Sequence, residues 1–228
     1  MKAIIGGTGF DRMEGLALTR GVVENRYGES ELFVGEGLVF LPRHTSAHSV
    51  APHMINHRAN IQALADLGVD EVVAIYAVGS ITDRLRPGEV GIVSDYVDFT
   101  GRVHTFFDEG EVVHTNSDEP FSSSLAARAR GEMADLVDNL VYVTTNGPRL
   151  ETKAEIAFFA RQGFDVVGMT LAGEAALLAE RTIATLALAY SINWAAGVGE
   201  GSISFISDEE IETLKGEIIR LSRTILSV

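Results

Sequence analysis

The chain has 228 residues, of which 46% are hydrophobic and 22% are charged, and its formal net charge is −14. This length and composition predict a single folded domain over residues 1–228. The acidic excess argues against nucleic acid or an anionic membrane as a partner, because both are bound mainly through Lys and Arg. An anionic substrate would have to be captured by a local cluster of hydrogen-bond donors.

The chain contains no cysteine, which excludes disulfides, thiolate nucleophiles and thiolate metal sites. It also has no apolar run long enough to span a bilayer. The segment Met1–Gly9 is typical of a first strand that enters a turn, not of an export signal. We therefore expect a cytoplasmic protein.

Apolar runs with β-branched residues recur along the chain and predict strands. In chain order they are Ala3–Ile5, Leu38–Leu41, Val72–Tyr76, Val90–Val93, Leu140–Thr144, Val166–Met169 and Ile183–Ile192. Segments of helical period lie between or after them, notably Ile55–Leu67, Leu125–Val137, Glu151–Phe159 and Glu174–Thr182. This alternation predicts an α/β fold with a mostly buried central sheet.

The last helix has the clearest pattern of all. Ser207-Asp208-Glu209-Glu210 forms a capping box at its start. We expect the apolar face that follows to pack in the core rather than line a cofactor pocket. That face comprises Ile211, Leu214, Ile218, Leu221 and Ile225. By contrast, the charged stretch Phe99–Pro120 predicts a long loop, and long loops are often functional.

The segment Ile4–Phe10, with sequence IIGGTGF, is a strand entering a glycine turn. Backbone N–H groups in such a turn, with the Thr8 hydroxyl, can donate to phosphate oxygens. The same pattern also resembles the nucleotide turn of short-chain dehydrogenases, which makes an NAD(P)-binding reductase an alternative. That motif needs a third glycine where Arg12 stands, and a Tyr with a Lys four residues later, which none of the five tyrosines has. The reductase is therefore disfavoured.

Arg43 follows an apolar strand and offers a planar fork of donors suited to phosphate. Four of the six histidines lie close by, as the i,i+4 pairs His44/His48 and His53/His57. Such pairs can bind zinc on a helix, but Pro42 and Pro52 break a helix here and no carboxylate lies between them. We favour an anion site over a metal site, and structural or surface histidines remain the third possibility.

Four further segments lie where predicted strands end, which is where ligands bind in open α/β sheets. They are Tyr76-Ala77-Val78-Gly79-Ser80, Asn146–Thr152 (NGPRLET), Gly168-Met169-Thr170 and Asn193. Plain structural alternatives exist. The first segment could be a simple tight turn, Glu151 could only favour a helix dipole, and Asn193 could be a turn residue.

Taken together in this order and spacing, these six segments resemble the trimeric purine nucleoside phosphorylase family, which includes methylthioadenosine and methylthioinosine phosphorylases. The similarity runs from Ile4 to about Leu221. It implies one α/β domain with a mixed central sheet, and a homotrimer with sites near the subunit interfaces. It also implies that a nucleoside and inorganic phosphate react directly, without a metal or an organic cofactor.

The resemblance implies roles for particular side chains. Phosphate would be held by Thr8, Arg43, His44, the backbone of Ala77, and Thr170. The nucleoside would contact Leu150, Glu151, Met169, Asn193 and Asp208, with His114 lent by a neighbouring subunit. Glu151, Asn193 and His44 would be the groups nearest the chemistry, because the protein supplies positioning and charge stabilisation rather than a nucleophile.

Two positions bear on the choice of base. By the same resemblance, adenine-type enzymes carry Ser and Asp where this chain has Glu151 and Asn193, and 6-oxopurine enzymes carry Glu and Asn. A carboxylate can accept the N1–H of hypoxanthine or guanine, whereas it would face a lone pair on adenine. We therefore expect a 6-oxopurine nucleoside, with methylthioadenosine as the alternative substrate.

The group at the 5′ position is harder to infer from sequence. The stretch after Asn193, Trp194-Ala195-Ala196-Gly197, is similar to the methylthioinosine branch. That branch places an apolar residue where Asp208 stands, whereas a carboxylate there could accept a hydrogen bond from a 5′-hydroxyl. Methylthioinosine is slightly favoured, and inosine or guanosine stays open.

The chain departs from the family pattern at four positions. Tyr76 stands where relatives have Thr or Asn, His57 replaces a Tyr, Gly173 replaces a Pro, and Ser191 replaces the first Asp of the adenine-type pair. A Tyr76 ring pointing inward would crowd the phosphate. A non-catalytic purine-binding protein is therefore a further alternative.

Overall fold

The computed structural model describes residues 1–13 and 16–228. Its strands are β1 (Lys2–Gly6), β2 (Thr19–Asn25), β3 (Gly28–Val34), β4 (Leu38–Pro42), β5 (Glu71–Ser80), β6 (Val90–Asp98), β7 (Val137–Thr144), β8 (Val166–Gly168) and β9 (Ala184–Trp194). Its α-helices are α1 (His57–Asp66), α2 (Ser123–Glu132), α3 (Lys153–Arg161), α4 (Leu171–Glu180) and α5 (Asp208–Leu226), and a short 3₁₀ helix covers Pro52–Met54.

The strands form one mixed sheet in the order β2-β3-β4-β1-β5-β8-β7-β6-β9. Strand β9 pairs with β6 and also with β5, so five strands close into a ring. Strands β4, β1, β5 and β9 run parallel, whereas β8 runs antiparallel to β5. The predicted α/β fold with a mixed central sheet is confirmed.

Helices cover the apolar surfaces of this sheet. The predicted capping box of α5 is present, because the Ser207 hydroxyl accepts the Glu210 N–H and the Glu210 carboxylate accepts the Ser207 N–H. Four of the five residues in the predicted apolar stripe of α5 are buried in one core cluster with β1, β5 and β9, namely Leu214, Ile218, Leu221 and Ile225. The stripe is core, as expected.

Three local predictions differ from the structure. The hairpin of β2 and β3 was not predicted, since β2 is largely exposed and lacks an apolar run. The helical segment Leu125–Val137 ends at Glu132, and Val137 already belongs to β7. Strand β5 does not end at Tyr76 but continues to Ser80.

The expected loop over Phe99–Pro120 contains neither helix nor strand. No helix in residues 1–13 and 16–228 is both long and apolar enough to cross a membrane.

Candidate active site

A cavity of about 500 Å³ opens at the carboxyl ends of β1, β4, β5 and β9. Because these strands are parallel, their last residues meet at one edge of the sheet. Nine of the eleven predicted site residues line the cavity: Thr8, Arg43, His44, Ala77, Leu150, Glu151, Met169, Thr170 and Asn193. The alternating fold therefore brings together side chains that are up to 185 positions apart, from Thr8 to Asn193.

Arg43 is almost fully buried at one end of this cavity, and its donors are mostly engaged. The Nε and Nη2 atoms donate to the two carboxylate oxygens of Glu174 at 2.6 and 2.9 Å, and Nη1 donates to the Ile75 carbonyl at 2.9 Å. The predicted bidentate fork therefore faces Glu174 and not the cavity. A guanidinium has five N–H groups, so two remain for a ligand.

Glu174 lies in the first turn of α4 and is 1% exposed. Burial alone would raise the pKa of its carboxyl, but the charge and hydrogen bonds of Arg43 outweigh burial and hold that pKa below its usual range. The pair is therefore ionised, and the Arg43 charge is compensated before any ligand binds.

The glycine turn after β1 has a structural role that the sequence pattern does not indicate. A Cβ on Gly7 would lie 2.4 Å from Arg43 Nη1, so a side chain there would displace the guanidinium. Gly7 thus makes room for Arg43, in addition to exposing backbone near the cavity. A dinucleotide-binding turn leads directly into a helix. Residues 7–13 and 16–18 contain no helix.

Tyr76 does not crowd the cavity. Its side chain is 1% exposed and is absent from the cavity wall, where its neighbour Ala77 lies instead. The Tyr76 hydroxyl donates to Glu174 at 2.9 Å, and the ring packs edge-on against Tyr142 with centroids 5.8 Å apart. The expected obstruction of phosphate by this ring is therefore not seen.

His44 borders the cavity beside Arg43. Its Nδ1 donates to the Val50 carbonyl at 2.7 Å, which fixes the tautomer and leaves Nε2 with a lone pair when the ring is neutral. Burial, and then the charge of Arg43, lower the pKa of His44 below its usual range. A neutral His44 can accept a hydrogen bond at Nε2 from a phosphate hydroxyl.

Thr170 and the start of α4 complete this end of the cavity. Thr170 is the N-cap residue of α4, but its side chain makes no capping hydrogen bond. The helix N-terminus carries a partial positive charge and favours an anion. Thr8 is exposed and also lines the cavity. We call Thr8, Arg43, His44 and Thr170, with Ala77, the phosphate end.

Glu151 lies at the other end of the cavity and is only half-buried. Its carboxylate accepts one hydrogen bond, from the Thr145 hydroxyl at 2.6 Å. Helix capping does not account for it, because α3 is capped by Thr152 and Glu155 in a complete capping box. Glu151 is therefore not needed to cap α3, and its second carboxylate oxygen can face a ligand.

Asn193 lies within β9, not in a turn, and it is 5% exposed. Its amide nitrogen donates to the Trp194 carbonyl at 2.8 Å, which leaves its oxygen and one N–H uncommitted. The register of the β5–β9 pair shifts between Val78 and Gly79, so that Ile192 is the extra residue of a β-bulge in β9. A Cβ on Gly79 would lie 3.3 Å from the Asn193 amide nitrogen. Gly79 is therefore a strand residue that makes room for Asn193, and the alternative of a tight turn is not seen. We call Leu150, Glu151 and Asn193 the base end.

Two predicted residues lie outside the cavity of this chain. Asp208 is exposed in the first turn of α5, where its charge favours the helix dipole. His114 is exposed in the long loop that follows β6. The wall beside the start of α5 is formed instead by Ile203 and Phe205, which sequence reasoning missed. In Ser202–Ile206, the apolar residues Ile203 and Phe205 alternate with serines, and this pattern is the sequence signal that could have indicated them.

The histidine pairs do not form a metal site in the described residues. The rings of His44 and His48 are 5.1 Å apart, and His48 Nδ1 lies 2.7 Å from Asp11. Across residues 1–13 and 16–228, no three or more histidine or carboxylate side chains are grouped as a metal would need.

Comparison with known proteins agrees with this architecture. Residues 2–227 match the family model of the phosphorylase superfamily. A probable S-methyl-5′-thioinosine phosphorylase from Thermodesulfovibrio yellowstonii is 36% identical, over 94% of this chain and 84% of that protein. A 6-oxopurine nucleoside phosphorylase from Pyrococcus furiosus is also 36% identical, over 95% of this chain and 88% of that protein.

Solved structures are similar over the same extent. A variant of the adenosine/methylthioadenosine phosphorylase from Schistosoma mansoni, in complex with tubercidin, superposes with a TM-score of 0.88 at 26% identity, over 99% of this chain and 90% of that one. These similarities leave no support for an NAD(P)-binding reductase. The chain belongs to the phosphorylase superfamily.

Proposed function

We propose that this protein cleaves 6-oxopurine nucleosides with inorganic phosphate, giving hypoxanthine or guanine and a ribose 1-phosphate, and that S-methyl-5′-thioinosine is its preferred substrate. One observation carries the proposal: a carboxylate at Glu151 and an amide at Asn193 share a single cavity with a cluster of phosphate donors. The relatives named for thioinosine and 6-oxopurine nucleosides support the same class of substrate.

At the phosphate end, the donors are assembled around a nearly neutral core. The two free N–H groups of Arg43, the hydroxyls of Thr8 and Thr170 and the N-terminus of α4 would hold phosphate oxygens. His44 Nε2 would accept a hydrogen bond from the phosphate hydroxyl. Because Glu174 already compensates the charge of Arg43, this pair would hold phosphate through hydrogen bonds rather than through a net positive charge.

At the base end, the chemistry distinguishes oxygen from nitrogen at C6 of the purine. Glu151 would accept N1–H, and Asn193 would bridge O6 and N7 with its free carbonyl and N–H. Adenine has no N1–H, so a half-buried carboxylate would face a lone pair and binding would be weakened. As the glycosidic bond breaks, the Asn193 amide would stabilise charge on the departing base.

The reaction itself requires no nucleophile from the protein. An oxygen of bound hydrogen phosphate would attack C1′ of the ribose while the bond to the purine nitrogen breaks, and the proton of the hydrogen phosphate would end on a nitrogen of the departing base. Met169, between the two ends, would lie under the ribose. The protein would contribute orientation and electrostatic stabilisation.

The lining near α5 favours an apolar 5′ group. Ile203 and Phe205 form this wall, and Ile211 Cγ2 lies 3.0 Å from the position of a Gly9 Cβ. Asp208 is not among the residues that line the described cavity, so the carboxylate considered as a partner for a 5′-hydroxyl does not face it in this chain. Inosine and guanosine are the second candidates, because a 6-oxopurine nucleoside phosphorylase is among the similar proteins.

The assembly and cellular role belong to the same proposal. A homotrimer would bring His114 of one subunit towards the cavity of its neighbour, since this residue is exposed on a long loop away from its own cavity. A role in purine salvage in the cytoplasm follows from the proposed reaction.

The base-recognition argument is tested by exchanging both residues. Glu151→Ser with Asn193→Asp should shift preference from methylthioinosine towards methylthioadenosine by more than tenfold in kcat/KM, about 1.4 kcal/mol or above. Glu212→Ser, on the exposed side of α5, is the control and should leave the ratio unchanged. An unchanged ratio in the double variant would refute the proposed roles of Glu151 and Asn193.

A further inference from the structure

Three residues that are far apart in the sequence surround the carboxylate of Glu174. Tyr76 donates its hydroxyl to Glu174, His57 lies beside Glu174, and Gly173 precedes it in α4. Positions 57, 76 and 173 are separated by up to 116 places in the sequence, from 57 to 173. The fold therefore brings an aromatic hydroxyl, an imidazole and a glycine together around one buried carboxylate.

Tyr76 contacts both members of the buried ion pair. Its hydroxyl lies 2.9 Å from Glu174 Oε2, the same oxygen that accepts from Arg43 Nη2. Its ring also stacks against Arg43, with the guanidinium carbon 4.5 Å from the ring centroid. The guanidinium is thus held on one side by a carboxylate and on its face by an aromatic ring.

His57 does not replace this hydroxyl. Its Nδ1 lies 3.8 Å from Glu174 Oε1, beyond hydrogen-bond distance, and this atom has no hydrogen-bond partner among the described residues. The ring instead fills space next to Gly173, where a Cβ would lie 2.9 Å from His57 and 3.0 Å from His104. The tyrosine hydroxyl bonded to Glu174 therefore comes from Tyr76 of β5.

We propose that Tyr76 is a positioning residue for phosphate binding, acting through Glu174 on the guanidinium of Arg43. It anchors the carboxylate from β5, so that Arg43 presents its two remaining N–H groups to phosphate in one fixed orientation. This inference rests on the proposed function to the extent that phosphate is the ligand of Arg43.

The chain offers a matched pair of variants to test it. Tyr76→Phe removes only the hydroxyl that bonds Glu174 and keeps the stacked ring. Tyr142→Phe is the control, because this neighbouring tyrosine is equally buried but its hydroxyl makes no hydrogen bond to Arg43 or Glu174. Arg43→Ala reports separately on whether Arg43 serves phosphate at all. The KM for phosphate, the KM for methylthioinosine and kcat are measured for each.

We expect Tyr76→Phe to raise the KM for phosphate about fivefold or more, with kcat and the nucleoside KM within about twofold of the unmodified protein. Tyr142→Phe should leave all three values unchanged. If Arg43→Ala raises the phosphate KM and Tyr76→Phe does not, the positioning role is wrong and the phosphate site stands. If Tyr76→Phe lowers kcat and changes both KM values alike, its role is merely structural. If Arg43→Ala leaves the phosphate KM unchanged, the proposed phosphate site itself fails.

Discussion

The two ends of the cavity are built in opposite ways. At the phosphate end, Arg43 and Glu174 are buried, and the Arg43–Glu174 pair is fixed by bonds from β5 and α4. At the base end, Glu151 has one hydrogen bond, from Thr145, and Leu150 is 43% exposed. The Arg43–Glu174 pair is thus buried and densely bonded, whereas Leu150 and Glu151 lie on a loop with few hydrogen bonds, beside the buried Asn193 of β9.

This difference indicates which ligand-binding groups the fold holds rigidly and which can be exchanged between substrates. Phosphate has one shape, so its donors gain from being preorganised by packing. The base varies between substrates, and a partly exposed carboxylate on a loop can be exchanged without dismantling the core. Stability should therefore depend on the phosphate end, and specificity on the base end.

The largest effect should come from removing a charge at the phosphate end. Glu174→Gln would leave Arg43 as an uncompensated buried cation, and we expect a loss of about 3 kcal/mol in the free energy of unfolding. The same substitution at the base end, Glu151→Gln, should cost less than about 0.5 kcal/mol because the site is half-exposed. Urea unfolding of both variants checks this. Equal losses would mean that the two ends do not differ as described.

Acid should weaken the phosphate end next. Burial lowers the pKa of His57 to about 4, despite the neighbouring Glu174 charge. Between about pH 6.5 and 4 the unfolded chain binds a proton at His57 that the folded chain does not, so stability falls as pH falls, by up to about 3 kcal/mol from this residue.

His57→Gln should remove most of that slope in the free energy of unfolding measured from pH 6.5 to 4. His48→Gln, at an exposed histidine, is the control and should leave the slope in place. A slope that persists in His57→Gln would show that other groups cause the acid sensitivity.

The smallest effects on stability are expected at two glycines inside helices, Gly173 in α4 beside Glu174 and Gly216 in α5. A Cβ added to Gly216 in α5 would have no neighbour within 4 Å among the described residues, so Gly216→Ala should stabilise the protein by about 0.5–1 kcal/mol. Gly173 in α4 faces His57 and His104 at 2.9 and 3.0 Å, so Gly173→Ala should instead destabilise it by about 1 kcal/mol. Thermal unfolding of both variants gives the signs. A gain in both would mean that the packing around His57 is loose.

Much of the architecture could be predicted from sequence, because its strands are buried apolar runs and α5 has a regular stripe. The hairpin of β2 and β3 could not, since its outer strand is exposed and carries no alternation that distinguishes it from a loop. Tyr76 was predicted at the end of a strand. The strand continues because β5 pairs with β9 as far as Ser80, a long-range interaction that local pattern does not contain.

The site could be predicted in its membership but not in its connections. Nine of the residues that the family resemblance implies for the site line one cavity. The partner of Arg43 could not be inferred, because Glu174 lies 131 residues away and looks like an ordinary acidic residue at a helix start. The sequence pattern likewise indicates only a ligand-binding role for Gly7. In the structure, the atom nearest to a Cβ added at Gly7 is Nη1 of Arg43.

Phosphate-dependent release of base from methylthioinosine, inosine, guanosine and methylthioadenosine, compared as kcat/KM, tests the central claim most directly. We predict that methylthioinosine is cleaved fastest and that methylthioadenosine is at least tenfold slower, because Glu151 accepts N1–H and Ile203 and Phe205 favour an apolar 5′ group. A higher value for methylthioadenosine, or no phosphate-dependent turnover of any of the four, would contradict it.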